Sequence, residues 1–308
     1  MPLVHHPDYV AALPAGHSFP MSKYSLLLDA LAEAGQAVAV IAPAPMPRHW
    51  LEAVHDPAYI EAVLTARVPP AAERRIGFPV TPEVARRTVA VAGGTYAAAR
   101  HALAHGFAAN GAGGSHHAMP EGGAGYCVTN DLAIAANRLL AEGHARSIAI
   151  VDLDVHQGDG TAAIFAGRGD VTTFSMHAAK NFPVRKARST RDVELPDGMG
   201  DADYLALLEG ELTVLLDTHA PDLVLFQAGV DPHGDDRLGR LALSDWGLAA
   251  RDGFVVREIR RRGIAIASTL GGGYAADRMT VARRHGAGLV AQWGAANDFF
   301  FAPAASQA

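Results

Sequence analysis

The sequence predicts a single α/β domain in which helices cover both faces of a parallel sheet. Apolar strand segments alternate with amphipathic helical segments, and the late strands are apolar on both of their faces. Strands of this kind are buried on both sides, as happens when helices form the crossovers of a parallel sheet. No linker, change of composition or internal repeat divides the 308 residues. One domain over 1–308 is therefore the simplest interpretation.

The elements follow one another in order along the chain. The predicted strands cover residues 3–6, 36–42, 107–111, 147–154, 171–177, 222–228 and 264–270. The predicted helices cover 22–35, 56–66, 82–106, 131–143, 159–167, 202–219, 245–263 and 275–292. A long polar loop is predicted from 178 to 199. Gly93 and Gly94 interrupt the third helical pattern, which predicts close packing against a neighbouring element.

Residues that cap exposed backbone N–H groups mark the starts of several helices. Ser22, Asp201 and Ser244 each precede a helical run and are predicted to be N-caps. Asp56–Pro57 and Thr81–Pro82 combine a capping side chain with proline in the first turn. These signals predict where the helices begin.

The composition favours a globular protein that binds neither nucleic acid nor membranes. The chain is 49% hydrophobic and 19% charged, with a net charge of −6. It therefore has material for a large core but no basic field to attract nucleic acid. No signal-peptide pattern is present, and no apolar run approaches the roughly 20 residues that cross a bilayer. A single cysteine, Cys127, excludes an intramolecular disulfide framework, so we expect a cytoplasmic protein.

Polar side chains follow the late strands at the ends where ligand sites collect in parallel α/β sheets. If the strands are correct, these side chains meet at one edge of the sheet. They are His116 and His117 after 107–111, Asp152, Asp154, His156 and Asp159 at the end of 147–154, His177 and Phe182 after 171–177, Asp231 after 222–228, and Tyr274 after 264–270. This convergence predicts a functional site.

Asp152, Asp154 and His156 lie at alternate positions, so their side chains share one face of the strand end. Three ionisable groups there are costly unless they are compensated, and a divalent metal would compensate them. The alternative is a polar strand end that leads into a loop capped by Asp159. Asp154, His156 and Asp231 could supply two carboxylates and one imidazole to a catalytic zinc ion with an open position. Other divalent transition ions would also suit this set.

The remaining polar residues suit hydrolysis beside such a metal, which lowers the pKa of water and polarises a carbonyl. His116 and His117 offer a general base and an electrostatic partner, and the carboxylates of Asp152 and Asp159 could orient their imidazoles. Tyr274, next to three glycines, could donate a hydrogen bond to a developing oxyanion. The alternatives are two loop histidines at a strand end and an ordinary packed tyrosine.

Four motifs occur in a fixed order along the chain, namely GGSHHAMPEGGAGYCVTND, IVDLDVHQGDGT, QAGVDPHGDD and LGGGY. Together they resemble the zinc-dependent histone deacetylase family of the arginase/deacetylase superfamily. The first loop, GHSFPMSKY, is most similar to class IV-type members and their bacterial relatives. The resemblance covers nearly the whole chain. It implies one three-layer α/β/α domain with an eight-stranded, mainly parallel sheet.

The resemblance also implies a role for each residue of the site. Its zinc ligands fall on Asp154, His156 and Asp231, its paired histidines on His116 and His117, with the second the usual base, and their carboxylate partners on Asp152 and Asp159. Its catalytic tyrosine falls on Tyr274, and its acyl-lysine tunnel on Tyr126, Phe182, Gly125 and Gly272. A structural potassium ion would fall on Asp152, Asp154, His156, Ser175 and Met176.

Two departures from the family pattern are informative. Gln157 stands where many members have a second histidine, at a position that is not a ligand. Tyr126 replaces the common phenylalanine of the tunnel wall and adds a hydroxyl to it.

Arginase-type members hold two manganese ions with a Gly-Gly-Asp-His motif and an Asp-x-Asp spacing, and VDPHGDD lacks that spacing. We therefore predict one catalytic metal.

The sequence thus predicts a zinc-dependent deacetylase or deacylase, an amidohydrolase that removes acetyl or longer acyl groups from N-acyl-lysine of proteins or peptides with zinc-activated water. A deacylase of acetylpolyamines or other small amines is the enzymatic alternative, and a non-catalytic acyl-lysine binding protein is the other. Acidic groups at the tunnel rim would favour cationic polyamines. The candidates for such rim acids are Glu121, Asp235 and Asp236.

Overall fold

Within residues 1–298, eight strands form one sheet in which every neighbouring pair is parallel. The structure, a computed structural model, describes residues 1–298, so the last part of the predicted domain, 299–308, lies outside the described residues. The strands are β1 (Pro2–Val4), β2 (Ala39–Ile41), β3 (Phe107–Asn110), β4 (Ile148–Asp152), β5 (Val171–Ala178), β6 (Arg191–Leu195), β7 (Leu223–Gln227) and β8 (Ala265–Thr269). Their order across the sheet is β2-β1-β3-β8-β7-β4-β5-β6.

Ten α-helices and one short 3-10 helix (Pro7–Tyr9) complete this described part of the chain. The α-helices are α1 (Lys23–Glu33), α2 (Arg48–Glu52), α3 (Pro57–Leu64), α4 (Pro70–Ile76), α5 (Pro82–His105), α6 (Asp131–Ala141), α7 (Asp159–Ile164), α8 (Asp201–His219), α9 (Asp245–Arg260) and α10 (Arg278–Asn297). Among residues 1–298, no helix has the length and apolar character needed to cross a membrane.

Alternate residues of the central strands pack into two separate apolar clusters. Val224 and Phe226 of β7 belong to one cluster, whereas Leu223 and Leu225 belong to the other. Successive side chains of a strand point to opposite faces, so each face of the sheet has its own core. The result is the predicted three-layer α/β arrangement, which the structure confirms.

The parallel register brings the carboxyl ends of the central strands side by side. Asp152, the last residue of β4, is the register partner of Ser175 in β5 and of Gln227 in β7. Gln227 in turn pairs with Thr269 at the end of β8. The loops that follow these strands therefore start at one edge of the sheet, where the sequence places its polar residues.

The predicted loop 178–199 contains a strand that the sequence pattern did not reveal. Strand β6 pairs with the second half of β5 at the edge of the sheet. Only Val193 and Leu195 of its five residues are buried, and charged residues flank them. A pattern this short and this polar gives little signal. Helices α2 and α4 were missed for the same reason, because each spans two turns or fewer.

Most, but not all, of the predicted helix caps are present. The side chains of Asp56, Thr81 and Ser244 accept hydrogen bonds from backbone N–H groups in the first turns of α3, α5 and α9. The prediction for Asp201 is wrong, because its carboxylate accepts hydrogen bonds from the N–H and hydroxyl of Ser244, at 2.8 and 2.6 Å. Ser22 precedes α1 without a capping hydrogen bond from its side chain.

Helix α5 continues through Gly93 and Gly94 because other parts of the chain approach its surface there. A Cβ atom on Gly93 would lie 2.0 Å from the carbonyl oxygen of Ala44, and one on Gly94 would lie 1.9 Å from the hydroxyl oxygen of Tyr9. Both distances are far shorter than van der Waals contact. This confirms the close packing predicted from the paired glycines.

The substitution Gly93→Ala should lower the free energy of unfolding by about 1–3 kcal/mol, because the backbone of Ala44 must move to admit a methyl group. Gly210→Ala in α8 is the matched control, since nothing lies within 4 Å of its Cβ position. There the better helix propensity of alanine should raise stability by about 1 kcal/mol. Urea denaturation would measure both variants, and equal stabilities would contradict the packing argument.

Candidate metal centre and active site

Three side chains that could bind a metal converge at the carboxyl edge of the sheet. Asp154 and His156 follow β4, and Asp231 follows β7. One donor atom from each lies within 4.8 Å of the other two. The Nδ1 atom of His156 is 3.0 Å from Oδ1 of Asp154 and 3.2 Å from Oδ2 of Asp231. All three side chains are buried, so their charges need compensation.

One oxygen of this cluster has no hydrogen bond. Oδ2 of Asp231 is buried and unpartnered, whereas Oδ1 accepts a hydrogen bond of 2.9 Å from the N–H of Val155. Oδ2 of Asp154 accepts hydrogen bonds from the side-chain amide of Gln227 at 2.9 Å and from the N–H of Gly272 at 2.8 Å. The carboxylates are thus held in place, with one acceptor left over. This donor set fits a divalent transition ion.

The pKa values of the cluster reflect the same need for positive charge. Burial, and then the charge of Asp154, raises the pKa of Asp231 to about 7. Burial lowers the pKa of His156, but the hydrogen bond to Asp154 and the charges of Asp154 and Asp231 outweigh it and raise that pKa to about 10. From the protein's own groups alone, the cluster therefore holds a proton on the imidazole between the two carboxylates. A metal ion would take the place of that proton.

Gly272 allows this close approach of the loop after β8 to the cluster. A Cβ atom at this position would lie 2.0 Å from Oδ2 of Asp231 and 2.7 Å from Oδ2 of Asp154. The resemblance placed Gly272 in the tunnel, whereas the structure places it against the two carboxylates. Any side chain at this position would displace a carboxylate.

Two histidine–carboxylate pairs lie beside the cluster. Nδ1 of His116 is 2.6 Å from Oδ2 of Asp152, and Nδ1 of His117 is 2.7 Å from Oδ1 of Asp159. All four side chains are buried, and the two imidazole centroids are 4.1 Å apart. Each histidine therefore contacts the carboxylate that was expected to orient it.

The two histidines differ in their affinity for a proton. Burial lowers the pKa of His116, but the charges of Asp152 and Asp154 outweigh it and raise the pKa to about 9. Burial, and then repulsion from His116, lowers the pKa of His117 to about 4. The protein's own groups thus favour a cationic His116 and a neutral His117. A divalent ion bound to Asp154 would reduce the attraction that its carboxylate exerts on His116.

A cavity of about 320 Å³ opens onto this cluster. Of the residues proposed from sequence, those that line it are His117, Gly125, Tyr126, His156, Phe182 and Tyr274. The ring of Phe182 meets that of His117 edge to face, with 4.8 Å between the centroids. Tyr274 faces the ring of His156 at 6.4 Å, and burial together with the charges of Asp231 and Asp154 raises the pKa of its hydroxyl.

The hydroxyl of Tyr126, the departure noted in the sequence, has a specific partner. Its oxygen lies 3.0 Å from Oγ of Ser18. The ring stacks on Phe78 with 6.2 Å between centroids and an interplanar angle of 3°, and it contacts Phe19 at 5.1 Å. Tyr126 thereby ties together three loops that are distant in sequence and fixes one wall of the cavity.

The candidate rim acids do not line the cavity. Both oxygens of Asp236 accept backbone hydrogen bonds, Oδ2 from the N–H of Tyr274 at 2.6 Å and Oδ1 from the N–H of Leu238 at 2.9 Å. Asp235 is exposed and pairs with Arg284 at 3.1 Å, and Glu121 is exposed elsewhere. Asp236 therefore positions the loop that carries Tyr274, a role that sequence reasoning missed.

Arg251 of α9 is fully buried behind the cluster. Its Nη1 donates hydrogen bonds to the carbonyl oxygens of Leu153 and Gly229, at 3.1 and 2.8 Å. These carbonyls belong to the loops that carry the metal-binding candidates. Asp252 balances its charge through a hydrogen bond of 2.8 Å from Nε. Sequence reasoning missed this role, because adjacent positions in a helix are not a spacing that marks an ion pair.

The all-parallel eight-stranded sheet, with this residue set at its carboxyl edge, defines an α/β protein of the arginase/deacetylase fold. The crystal structure of the HDA15 HD domain superposes on it with a TM-score of 0.78. The superposition covers 97% of this chain and 95% of that chain, at 21% sequence identity. At that identity the likeness concerns the fold.

The sequence comparisons give the family. Residues 17–287 match the histone deacetylase domain, and the chain therefore belongs to the histone deacetylase family, as predicted. An uncharacterized protein of Picosynechococcus sp. (strain PCC 7002) is 47% identical over 286 residues, which are 92% of this chain and 95% of that protein. Histone deacetylase 2 of Arabidopsis thaliana is 29% identical over 277 residues, which are 84% of this chain and 70% of that protein. Family membership supports a deacetylase activity, which is that of a hydrolase.

The substitution Arg251→Ala should lower the free energy of unfolding by about 3–5 kcal/mol, because it leaves the buried carboxylate of Asp252 without its cation. Arg257→Ala, at an exposed position of the same helix, should change stability by less than about 0.5 kcal/mol. Thermal and urea denaturation would compare the two. If Arg251→Ala proved as stable as the control, the buried pair would not hold these loops in place.

Proposed function

We propose that this protein is a zinc-dependent deacylase that removes acetyl or longer acyl groups from N-acyl-lysine. The observation that carries the proposal is the unpartnered, buried Oδ2 of Asp231, which lies 3.2 Å from Nδ1 of His156, a residue that lines the cavity. Two histidine–carboxylate pairs and a tyrosine adjoin the same point. The family supports deacetylation in general, and this arrangement supports the finer assignment.

In this proposal Asp154, His156 and Asp231 hold the zinc ion. When bound, zinc supplies a Lewis acid that polarises the substrate carbonyl and lowers the pKa of a water molecule. The carboxylates keep their orientation through Val155, Gln227 and Gly272, so binding requires little rearrangement. Preorganised ligands of this kind favour affinity as well as catalysis.

His117 is the general base. Its Nδ1 donates a hydrogen bond to Asp159, which leaves Nε2 free to accept a proton from the water that attacks the carbonyl carbon. The low pKa of His117 keeps it neutral before the reaction. After addition of water, the C–N bond breaks, and a proton from this histidine or from His116 passes to the leaving lysine amine.

Tyr274 and His116 stabilise charge in the transition state. Tyr274 lines the same cavity as His117, and its raised pKa keeps the hydroxyl protonated, so it is able to donate a hydrogen bond to the developing oxyanion. His116, held by its hydrogen bond to Asp152, contributes electrostatic stabilisation next to the reacting centre. The backbone of Tyr274 is held by Asp236, which reduces the entropy lost in forming this contact.

We also assign a potassium site to Asp152, Asp154, His156, Ser175 and Met176, and a single catalytic domain to 1–308. Support for the ion is the register pairing of Asp152 with Ser175 and the burial of these residues. Carboxylate and carbonyl oxygens of this kind suit a hard cation.

A non-catalytic acyl-lysine binding protein would have no use for two histidine–carboxylate pairs, which favours the enzyme.

The substitution Tyr274→Phe should reduce kcat by about 10²–10³-fold, because it removes one oxyanion donor, and should leave the zinc content unchanged. Hydrolysis of a fluorogenic acyl-lysine peptide and elemental analysis of the purified protein would measure the two effects. Tyr96→Phe, which removes a hydroxyl bonded to Glu142 far from the cavity, is the control. Wild-type turnover by Tyr274→Phe would refute the assigned role.

The substitution Asp231→Asn should abolish stoichiometric zinc binding, because a neutral amide replaces one of the two anionic ligands. Asp235→Asn makes the same change four residues away at an exposed position and should retain the metal. Elemental analysis would compare the two after dialysis against a weak chelator, with folding checked by circular dichroism. Full zinc occupancy in Asp231→Asn would contradict the ligand assignment.

A further inference from the structure

The mouth of the active-site cavity carries cations and lacks carboxylates. Lys180 and Arg240 both line the cavity, whereas no Asp or Glu is among the described residues that line it. A single carboxylate, that of Asp197, lies near both cations, 3.6 Å from Nζ of Lys180 and 3.3 Å from Nη1 of Arg240. One negative charge shared by two cations leaves the mouth with a net positive charge.

The segment that forms one side of the mouth is itself basic. The loop between β5 and β6, residues 179–190, contains four Lys or Arg residues and no Asp or Glu, although the chain as a whole has a net charge of −6. Arg185 is exposed and has no acidic partner within the described chain. It lies three residues from Phe182 of the cavity, a separation of at most about 11 Å even in extended chain. Arg185 therefore belongs to the same exposed loop as Lys180 and Phe182, which line the cavity.

Apolar side chains stand exposed among these cations. Phe182 is 45% exposed, Val184 is 96% exposed and Leu238 is 43% exposed. The side-chain amide of Asn181 donates a hydrogen bond of 2.6 Å to the carbonyl of Leu238 and joins the two segments that bear them. Exposed apolar residues mixed with cations are typical of a surface that contacts a partner.

We propose that this cationic rim, defined as Lys180, Arg185 and Arg240, binds a polypeptide in which the acyl-lysine is flanked by acidic and apolar residues. The inference rests on the proposed deacylase function and names its substrate class. Val184 and Arg185 lie outside the cavity lining, so a small acylated amine that fills the cavity would not use them. The side chains that flank the acyl-lysine in a polypeptide would lie over them.

The same charges argue against a polyamine substrate. A partly acylated polyamine keeps at least one ammonium group, and that group would emerge at the mouth. There it would meet Lys180 and Arg240 without a free carboxylate to offset them. Like charges brought together at an interface cost binding free energy, whereas aspartate or glutamate next to the acyl-lysine would gain it.

The test uses three fluorescent peptides that share one central residue and differ only in acidic, neutral or basic neighbours. The central residue is a ketone isostere of acetyl-lysine in which CH2 replaces the amide N–H, so no C–N bond breaks during the measurement. Fluorescence anisotropy with the wild-type chain should show the acidic peptide binding about three- to tenfold more tightly than the basic one, since each exposed pair contributes modestly. The difference should shrink between roughly 50 and 200 mM salt.

Two matched variants locate the effect. R185E should reduce or reverse the preference for the acidic peptide. R257E makes the same change at another exposed arginine without an acidic partner in residues 1–298. Arg257 lies near the end of α9, a helix that starts at the carboxyl edge of the sheet and runs to the opposite edge, so R257E should preserve the preference.

Several results would overturn the inference. They are equal binding of the three peptides, a preference for the basic peptide, or an R185E variant that behaves like R257E. Faster hydrolysis of N-acetylspermidine than of the acidic acetyl-lysine peptide would also overturn it. If the wild-type enzyme cleaved no amide but kept the binding preference, the rim would stand and the proposed deacylase function would fall.

Discussion

Two buried carboxylates that face one imidazole nitrogen set the conditions for the rest of the site. Asp154 and Asp231 come within 3.0 and 3.2 Å of Nδ1 of His156, in surroundings where unpaired charge is expensive. The fold meets that cost with hydrogen bonds to three of the four carboxylate oxygens, and one oxygen is left for a metal. The cluster therefore offers a binding position for a cation. Asp154 and Asp231 meet there because β4 and β7, the strands that precede them, are neighbours in the sheet.

The two histidine–carboxylate pairs have the same hydrogen bond from Nδ1 to a carboxylate, but the two histidines differ in pKa. His116 lies near two carboxylates, Asp152 and Asp154, whereas His117 lies near one carboxylate and next to the positive charge of His116. The environment thus separates two chemically identical side chains into a cation and a neutral base. When neighbouring groups differ in pKa in this way, one is able to accept a proton while the other stabilises charge, both near neutral pH.

The sequence predicts those features that depend on long apolar runs and on strand ends. Strands β4, β7 and β8 are continuous apolar segments, so their carboxyl ends, and with them Asp154 and Asp231, could be located without a structure. Strand β6 could not, because an exposed edge strand has too few buried residues to show a pattern. Gln227 and Arg251 could not either: an amide at the end of a strand and an arginine within a helix have no distinctive spacing. Their roles arise only from the tertiary contacts of the folded chain.

The two edges of the sheet bear on how the protein behaves at high concentration. Exposed edge strands are templates on which a second copy adds its own strand and begins to aggregate. Strand β2 offers three residues, and β6 places Arg191, Asp192 and Glu194 within a five-residue strand. A copy that extended the sheet at β6 would have to pair or desolvate these charges. The polar character that hid β6 from sequence analysis thus disfavours self-association through the sheet.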